Sequence, residues 1–225
     1  MQERQNVLTD SDWQYIQPIV DNGRKRKTCL RMVVNGLVHL TRTGTQWRNM
    51  DSKYLPHLSI IQYYYYRWQR NGTWQKLLSS LLATFRETNG DKAQPSQVAV
   101  DSQSVRSVPF VDACKGIDGN KLVNGRKRHI AVDKHGLPVA IAVIGANIND
   151  GQAGLELLWQ LEGNERLELF CLDKAYNVEF IESLELYGWR GEIAQKPDSA
   201  EGFVPQKGRW QVERSFAWMN FYRRL

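Results

Sequence analysis

The sequence predicts an α/β sheet unit preceded by a small all-helical one, and three observations carry that prediction. Apolar residues recur every three or four positions through residues 1–90, short apolar runs alternate with helical patterns beyond them, and a polar stretch with two chain breakers separates the regimes. At 225 residues and 42% hydrophobic content, the chain can bury one full core and a second, smaller one. We therefore read residues 1–90 as a helical domain and 91–225 as an α/β domain.

Each element follows from its local pattern. Leu8-Thr9-Asp10-Ser11-Asp12 places capping residues and first-turn acids before a helix that carries Trp13, Ile16 and Ile19 on one stripe. The basic turn 23–27 ends it. Residues 28–43 hold Leu30, Val33, Val34, Leu37, Val38 and Leu40 in helical period, closed by Gly44. A third helix begins near Ser59 and contains the run Tyr63, Tyr64, Tyr65 and Tyr66 with Arg67, Trp68 and Arg70; after Asn71-Gly72 a fourth starts at Thr73. Two readings of this region stay open: a helix-turn-helix-like module whose third helix enters a major groove, or a plain bundle with core tyrosines and a solvated arginine face. Residues 87–97, with Gly90 and Pro95, read as a linker. Strands are expected at 98–101, 129–133 and 138–144, the last two joined by a Lys134-His135-Gly136 turn, and again at 169–172 and 191–194. Helices are expected at 150–162, 177–187 and 210–225.

Composition narrows the function classes. The longest strongly apolar run, 139–146, is far shorter than the roughly 20 residues a membrane-spanning helix needs, and the N-terminus has no apolar signal core. A soluble cytoplasmic protein is expected. Cys29, Cys114 and Cys171 are widely spaced, which argues against a zinc site or a disulfide framework. Residues 1–90 carry thirteen Lys/Arg against six Asp/Glu, a net +7, whereas 91–225 carry seventeen against eighteen, a net −1. That asymmetry suits a phosphate-binding module joined to one with an acidic site.

Three acids are candidates for that site. Asp101 ends the apolar run Val98-Ala99-Val100, Asp173 ends Leu169-Phe170-Cys171-Leu172, and Glu213 sits in an aromatic-rich helix. A carboxylate at the end of a buried strand is costly unless it is paired or binds a metal. Alone, each has an ordinary alternative: helix cap, loop residue, or surface salt bridge. Together they could hold two hard divalent cations about 4 Å apart, the arrangement that stabilises the attacking and leaving oxygens of phosphoryl transfer. Lys121, Arg126, Lys127, Arg128 and His129 form a basic approach to the second strand, suited either to a DNA backbone near Asp101 or to a solvated loop.

Four blocks carry a resemblance: Asp101-Ser102-Gln103-Ser104-Val105, Gly125-Arg126-Lys127-Arg128-His129, Asp173-Lys174-Ala175-Tyr176, and Val212-Glu213-Arg214-Ser215-Phe216-Ala217-Trp218 with Tyr222-Arg223-Arg224-Leu225. Their order and context resemble the DDE insertion-sequence transposases of the insertion-sequence-five type. Leu8-Thr9-Asp10-Ser11-Asp12-Trp13 and Arg42-Thr43-Gly44-Thr45-Gln46-Trp47-Arg48 resemble that family's leading helical domain. The resemblance implies an RNase H-like catalytic domain with Asp101, Asp173 and Glu213 as a DDE triad holding Mg2+ or Mn2+, two ions in all. It also implies cleavage at insertion-sequence ends by metal-activated water, and attack of the freed 3′-OH on target DNA. Double-stranded DNA is the implied partner, both terminal inverted repeats and target, with a homodimer on DNA and no membrane as expectations. The residues expected at DNA are Arg67, Arg70, Arg126, Lys127, Arg128, Lys174 and Arg209. Arg209 lies one helical turn before Glu213 and matches the arginine of the family's signature around the glutamate. The chain departs from the family pattern at Ala175, Asn177, Gln206 and Asn220, where glycine, aspartate, tyrosine and lysine are usual. Members also continue past Tyr-Arg-Arg-Leu. Two alternatives follow: a shortened, inactive DNA-binding repressor, or a nuclease of the same fold that cuts without joining.

Overall fold

Thr9 opens the first helix through a reciprocal cap. In the computed structural model, which describes residues 8–50, 53–108, 112–176, 178–193 and 210–223, the Thr9 hydroxyl accepts the Asp12 N–H at 3.1 Å and the Asp12 carboxylate accepts the Thr9 N–H at 2.9 Å. Helix α1 (Asp10–Val20) leads to α2 (Leu30–Thr43), which Gly44 ends with φ +68°, its N–H reaching the Leu40 carbonyl. Helix α3 (Leu58–Arg70) and α4 (Thr73–Thr88) meet at Asn71-Gly72, where Asn71 Oδ1 accepts the Thr73 N–H. Ile16, Val33, Leu37, Ile61, Trp68 and Leu77 share one buried core. The tyrosine run is divided by helical geometry: Tyr64 is buried beside Trp68, while Tyr63, Tyr65 and Tyr66 face solvent.

The second core is built on a six-stranded sheet. Its strands are β1 (Gln97–Arg106), β2 (Gly116–Asp118), β3 (Val123–Val132), β4 (Pro138–Gly145), β5 (Leu169–Leu172) and β6 (Arg190–Ile193), in the order β2-β3-β1-β5-β6 with β4 also on β3. The β1, β3 and β4 pairings are antiparallel, and β5 runs parallel to both β1 and β6. Helices α5 (Asp150–Leu161) and α6 (Val178–Leu186) cover one face: Leu157, Leu158, Phe180 and Leu184 join Val98, Val100, Ala131, Phe170 and Leu172 in one cluster. Helix α7 (Trp210–Met219) buries Val212, Ser215 and Phe216. Helices first, then a mixed sheet, is the expected order.

Several boundaries differ from the sequence reading. Strand β1 runs five residues past Asp101, so that carboxylate lies mid-strand rather than at a strand end. Ser102, Gln103 and Ser104 carry no apolar alternation, but β3 supplies their backbone partners through Arg126, and strand pairing needs only that. Strand β2 is three residues long and left no pattern to read. Helix α7 closes at Met219 and passes into turns rather than continuing. The chain divides into the compact units Met1–Phe85 with Trp218–Leu225, and Arg86–Ala217, a division that falls inside α4 just ahead of the polar linker. Among the described residues no helix is long and apolar enough to cross a membrane.

Candidate active site

Strand register sets the two aspartates. The parallel pair β1–β5 matches Val98 with Phe170 and Ala99 with Cys171, and Asp101 and Asp173 each lie two residues beyond that last matched pair. Adjacent strands lie about 4.8 Å apart, and residues two apart along a strand share a face. Val98, Val100, Phe170 and Leu172 point into the α5–α6 core, so Asp101 belongs to the opposite face of the sheet, and Asp173 follows directly on the end of β5. Both are half-buried, and each carboxylate accepts the N–H of the following residue: Ser102 at 2.7 Å and Lys174 at 2.6 Å.

Glu213 is exposed on α7, which is anchored elsewhere in the sheet unit. Arg214 donates to the His135 carbonyl and Ser215 to the Gly136 carbonyl, both in the β3–β4 turn. The carboxylates of Asp101 and Asp173 are hard oxygen donors, which fit Mg2+ or Mn2+ in chemistry. Among the described residues, however, no three acidic, imidazole or thiol side chains gather closely enough to hold one ion, so the three carboxylates do not form a closed cage in this structure.

Apart from Lys121, in the turn before it, the basic stretch is part of β3 itself, and strand alternation sends its members to different places. Lys127 is buried on the α5 side, where its ammonium donates to Asp150 Oδ1 at 2.9 Å and to the Ile148 carbonyl at 3.1 Å. Ser102 also donates to Asp150 Oδ1, and Ser104 donates to Asp118. The Ser104 hydroxyl, with the Lys121 and Asn120 N–H groups, holds the Asp118 carboxyl down at about 2. His129 is fully buried beside this network, 3.9 Å from Asp150, and burial pushes its pKa down to about 4. Arg128 is buried on the Asp101 face, donating to Gln103, with its pKa lowered by burial. Lys127 and Arg128 are thus interior groups, not the solvent-facing loop residues their sequence context suggested. Arg126 donates to the Ala113 carbonyl, and Lys174 is exposed beside Asp173. In the helical unit Arg67 donates to the Tyr63 hydroxyl at 3.0 Å and Arg70 is exposed. Arg209, Gln206 and Asn177 lie outside the described residues. Asp118 and Asp150 escaped sequence reading; the only signal was Asn149-Asp150 at a helix start, which reads equally as a cap.

A mixed sheet with helices packed on one face is the architecture of RNase H-like domains. The family described as "Transposase DDE domain" matches residues 92–225, and one described as "Putative transposase of IS4/5 family (DUF4096)" matches 8–78. The chain belongs to the DDE transposase family, with a helical domain of the IS4/5 kind. It is 34% identical over 110 residues to "Putative transposase for insertion sequence element IS402" of Burkholderia cepacia, covering 45% of this chain and 52% of that protein. It is 27% identical over 111 residues to "Insertion element IS402 uncharacterized 16.2 kDa protein" of the same organism, covering 45% of this chain and 74% of that one. The chain thus spans about half the length of the first of these relatives. Among solved structures it is similar to a piggyBac transposase synaptic complex with hairpin DNA, at TM-score 0.37 and 11% identity over 85% of this chain and 48% of the other.

Proposed function

We propose that the chain carries out metal-dependent cleavage at the ends of an insertion sequence and joins the freed ends to target DNA, with Asp101, Asp173 and Glu213 as its acidic triad. The observation that supports the reading is the β1–β5 pairing: Asp101 and Asp173 each follow its last matched pair, Ala99 with Cys171, by two residues. Mg2+ or Mn2+, bound by these carboxylates, would supply Lewis-acid stabilisation to the attacking and leaving oxygens of the phosphodiester. In this reading the protein's part is placement: β1 carries Asp101, the end of β5 leads into Asp173, α7 brings the third carboxylate, and exposed Lys174 offers a cation beside Asp173 for a phosphate oxygen. In the same reading Arg67 and Arg70 on α3, together with Arg126 and Arg209, hold duplex DNA, and Lys127 and Arg128 act from the interior.

The test is cleavage and joining of a labelled insertion-sequence end by wild type and Asp101→Asn in Mg2+ and in Mn2+. The substitution keeps side-chain size and removes the charge, so cleavage should fall more than about a thousandfold while folding and DNA binding persist. A variant that cuts at the wild-type rate ends the proposal. Cleavage without joining in the wild type reduces it to a nuclease.

A further inference from the structure

Helix α7 carries Glu213, and its contacts decide where that carboxylate stands. Ser215 is buried, and its hydroxyl hydrogen is shared between the Gly136 carbonyl and the Gln211 carbonyl one turn earlier in the helix. A helical serine satisfies itself on the carbonyl four residues back; the contact to Gly136 is what ties the helix to the sheet. Arg214 adds a second tie to the His135 carbonyl, its guanidinium lying 4.3 Å from the Trp210 ring centre.

The turn beneath is fitted to receive these groups. Gly136 has φ +77°, and a Cβ there would lie 3.0 Å from both Arg214 Nη2 and Ser215 Oγ and 3.1 Å from the Gln211 carbonyl, so the helix sits where a side chain would otherwise project. The turn is rigid: Asp133 Oδ1 accepts the N–H groups of His135 and Leu137, and Asp133 is itself ion-paired to buried Arg86. It begins three residues along β3 from Ile130, the partner of Asp101, or about 10 Å at the rise of a strand.

We propose that Arg214 and Ser215 are positioning residues, which lock α7 onto the β3–β4 turn and so set the approach of Glu213 to Asp101 and Asp173. The inference rests on Glu213 being the third carboxylate of the triad. It predicts that loosening either tie weakens metal binding without touching a ligand, as the loss of groups that orient ligands generally does.

Titration calorimetry with Mn2+ alone, on the full chain without DNA, tests this. Ser215→Ala and Arg214→Met should each bind Mn2+ roughly 10–100-fold more weakly than wild type while retaining its circular dichroism. Arg214→Lys keeps a donor for His135 and should bind close to the wild-type value. Glu213→Gln is the reference for loss of the ligand itself. If Glu213→Gln weakens Mn2+ binding but folded Ser215→Ala and Arg214→Met do not, the positioning role is wrong and the triad stands. If Glu213→Gln binds as wild type, the triad reading fails and this inference falls with it. Should Ser215→Ala not fold, Arg214→Met decides, and loss of fold in both makes the contacts merely architectural and overturns the proposal.

Discussion

The two units handle polar side chains in opposite ways. In the helical unit the described buried polar residues are Asn35 and Thr73, whereas the sheet unit buries Arg86, Asp118, Lys127, Arg128, His129 and Asp133. A buried charge is tolerated only with partners, and each partner fixes a backbone segment in place. The sheet unit therefore carries buried polar groups on both faces of β3, the strand that pairs with Asp101. The helical unit has no charged residue among its described buried ones, and its Arg26 and Arg31 are ion-paired at the surface to Asp21 and Asp10. Placement of charge thus separates a unit built for geometry from one suited to contact.

The largest effect should come from breaking the framework where it is driest. Arg86 is ion-paired to Asp133, their side chains 6% and 0% exposed, and Arg86 also holds the Lys92 carbonyl. Arg86→Met leaves a buried carboxylate without its cation and should cost about 3–5 kcal/mol in urea unfolding. A loss below about 1 kcal/mol, the range of surface pairs, would show that the interior charges of the sheet unit are no more structural than those outside.

Next in size is an acid limb in stability set by His129. Its folded pKa, pushed by burial to about 4, lies below the ordinary histidine value of 6.5, so the unfolded chain binds the proton more readily. Stability from this group is complete above about pH 6.5 and is lost as pH falls toward 4, by about 3 kcal/mol in total. Asp118, held at about 2 chiefly by the Ser104 hydroxyl, acts in a lower window: its contribution is present above about pH 4 and lost as pH falls through 2. Urea midpoints between pH 4 and 7 should slope upward with pH, and His129→Gln should flatten that slope. A slope unchanged by the substitution would assign it to other groups.

How much of this was legible in the sequence differs between the units for the same reason. Helices α1 to α4 announce themselves because their cores are apolar at helical spacing, as Ile16 and Val20 or Val33, Leu37 and Leu40 show. The turn at Gly136 and the acid after Leu172 were equally plain, since both sit at the edge of apolar runs. Strand β1 beyond Asp101 and the interior fate of Lys127 were not. A basic triplet reads as solvated until the carboxylate that neutralises it is known. For Lys127 that partner is Asp150, 23 residues away and brought near only by the β3–β4 hairpin and the start of α5. Hydrophobic periodicity reports apolar burial and is blind to polar burial, which is where the candidate site and its supports lie.

The smallest effect on stability is expected in the helical unit, and it should come with a clear effect on binding. Residues 52–85 of this unit contain no Asp or Glu but include Lys53, Arg67, Arg70 and Lys76. On α3, Tyr63, Tyr66, Arg67 and Arg70 fall at i, i+3, i+4 and i+7, which is one stripe of the helix; Tyr63 and Tyr66 are each 51% exposed. The bond from Arg67 to the Tyr63 hydroxyl is solvent-accessible and contributes a few tenths of a kcal/mol at most. Replacing Arg67 and Arg70 together by glutamine should therefore leave unfolding within about 0.5 kcal/mol of wild type. If the stripe meets the DNA backbone, each arginine displaces roughly one counterion from phosphate, and the slope of log affinity against log salt should fall by about two. Filter binding of the full chain to an insertion-sequence end, across a salt series, measures it. An unchanged slope would make the arginines a solvated face and return α3 to a plain bundle helix; a reduced slope with unchanged stability would separate contact from framework within one chain.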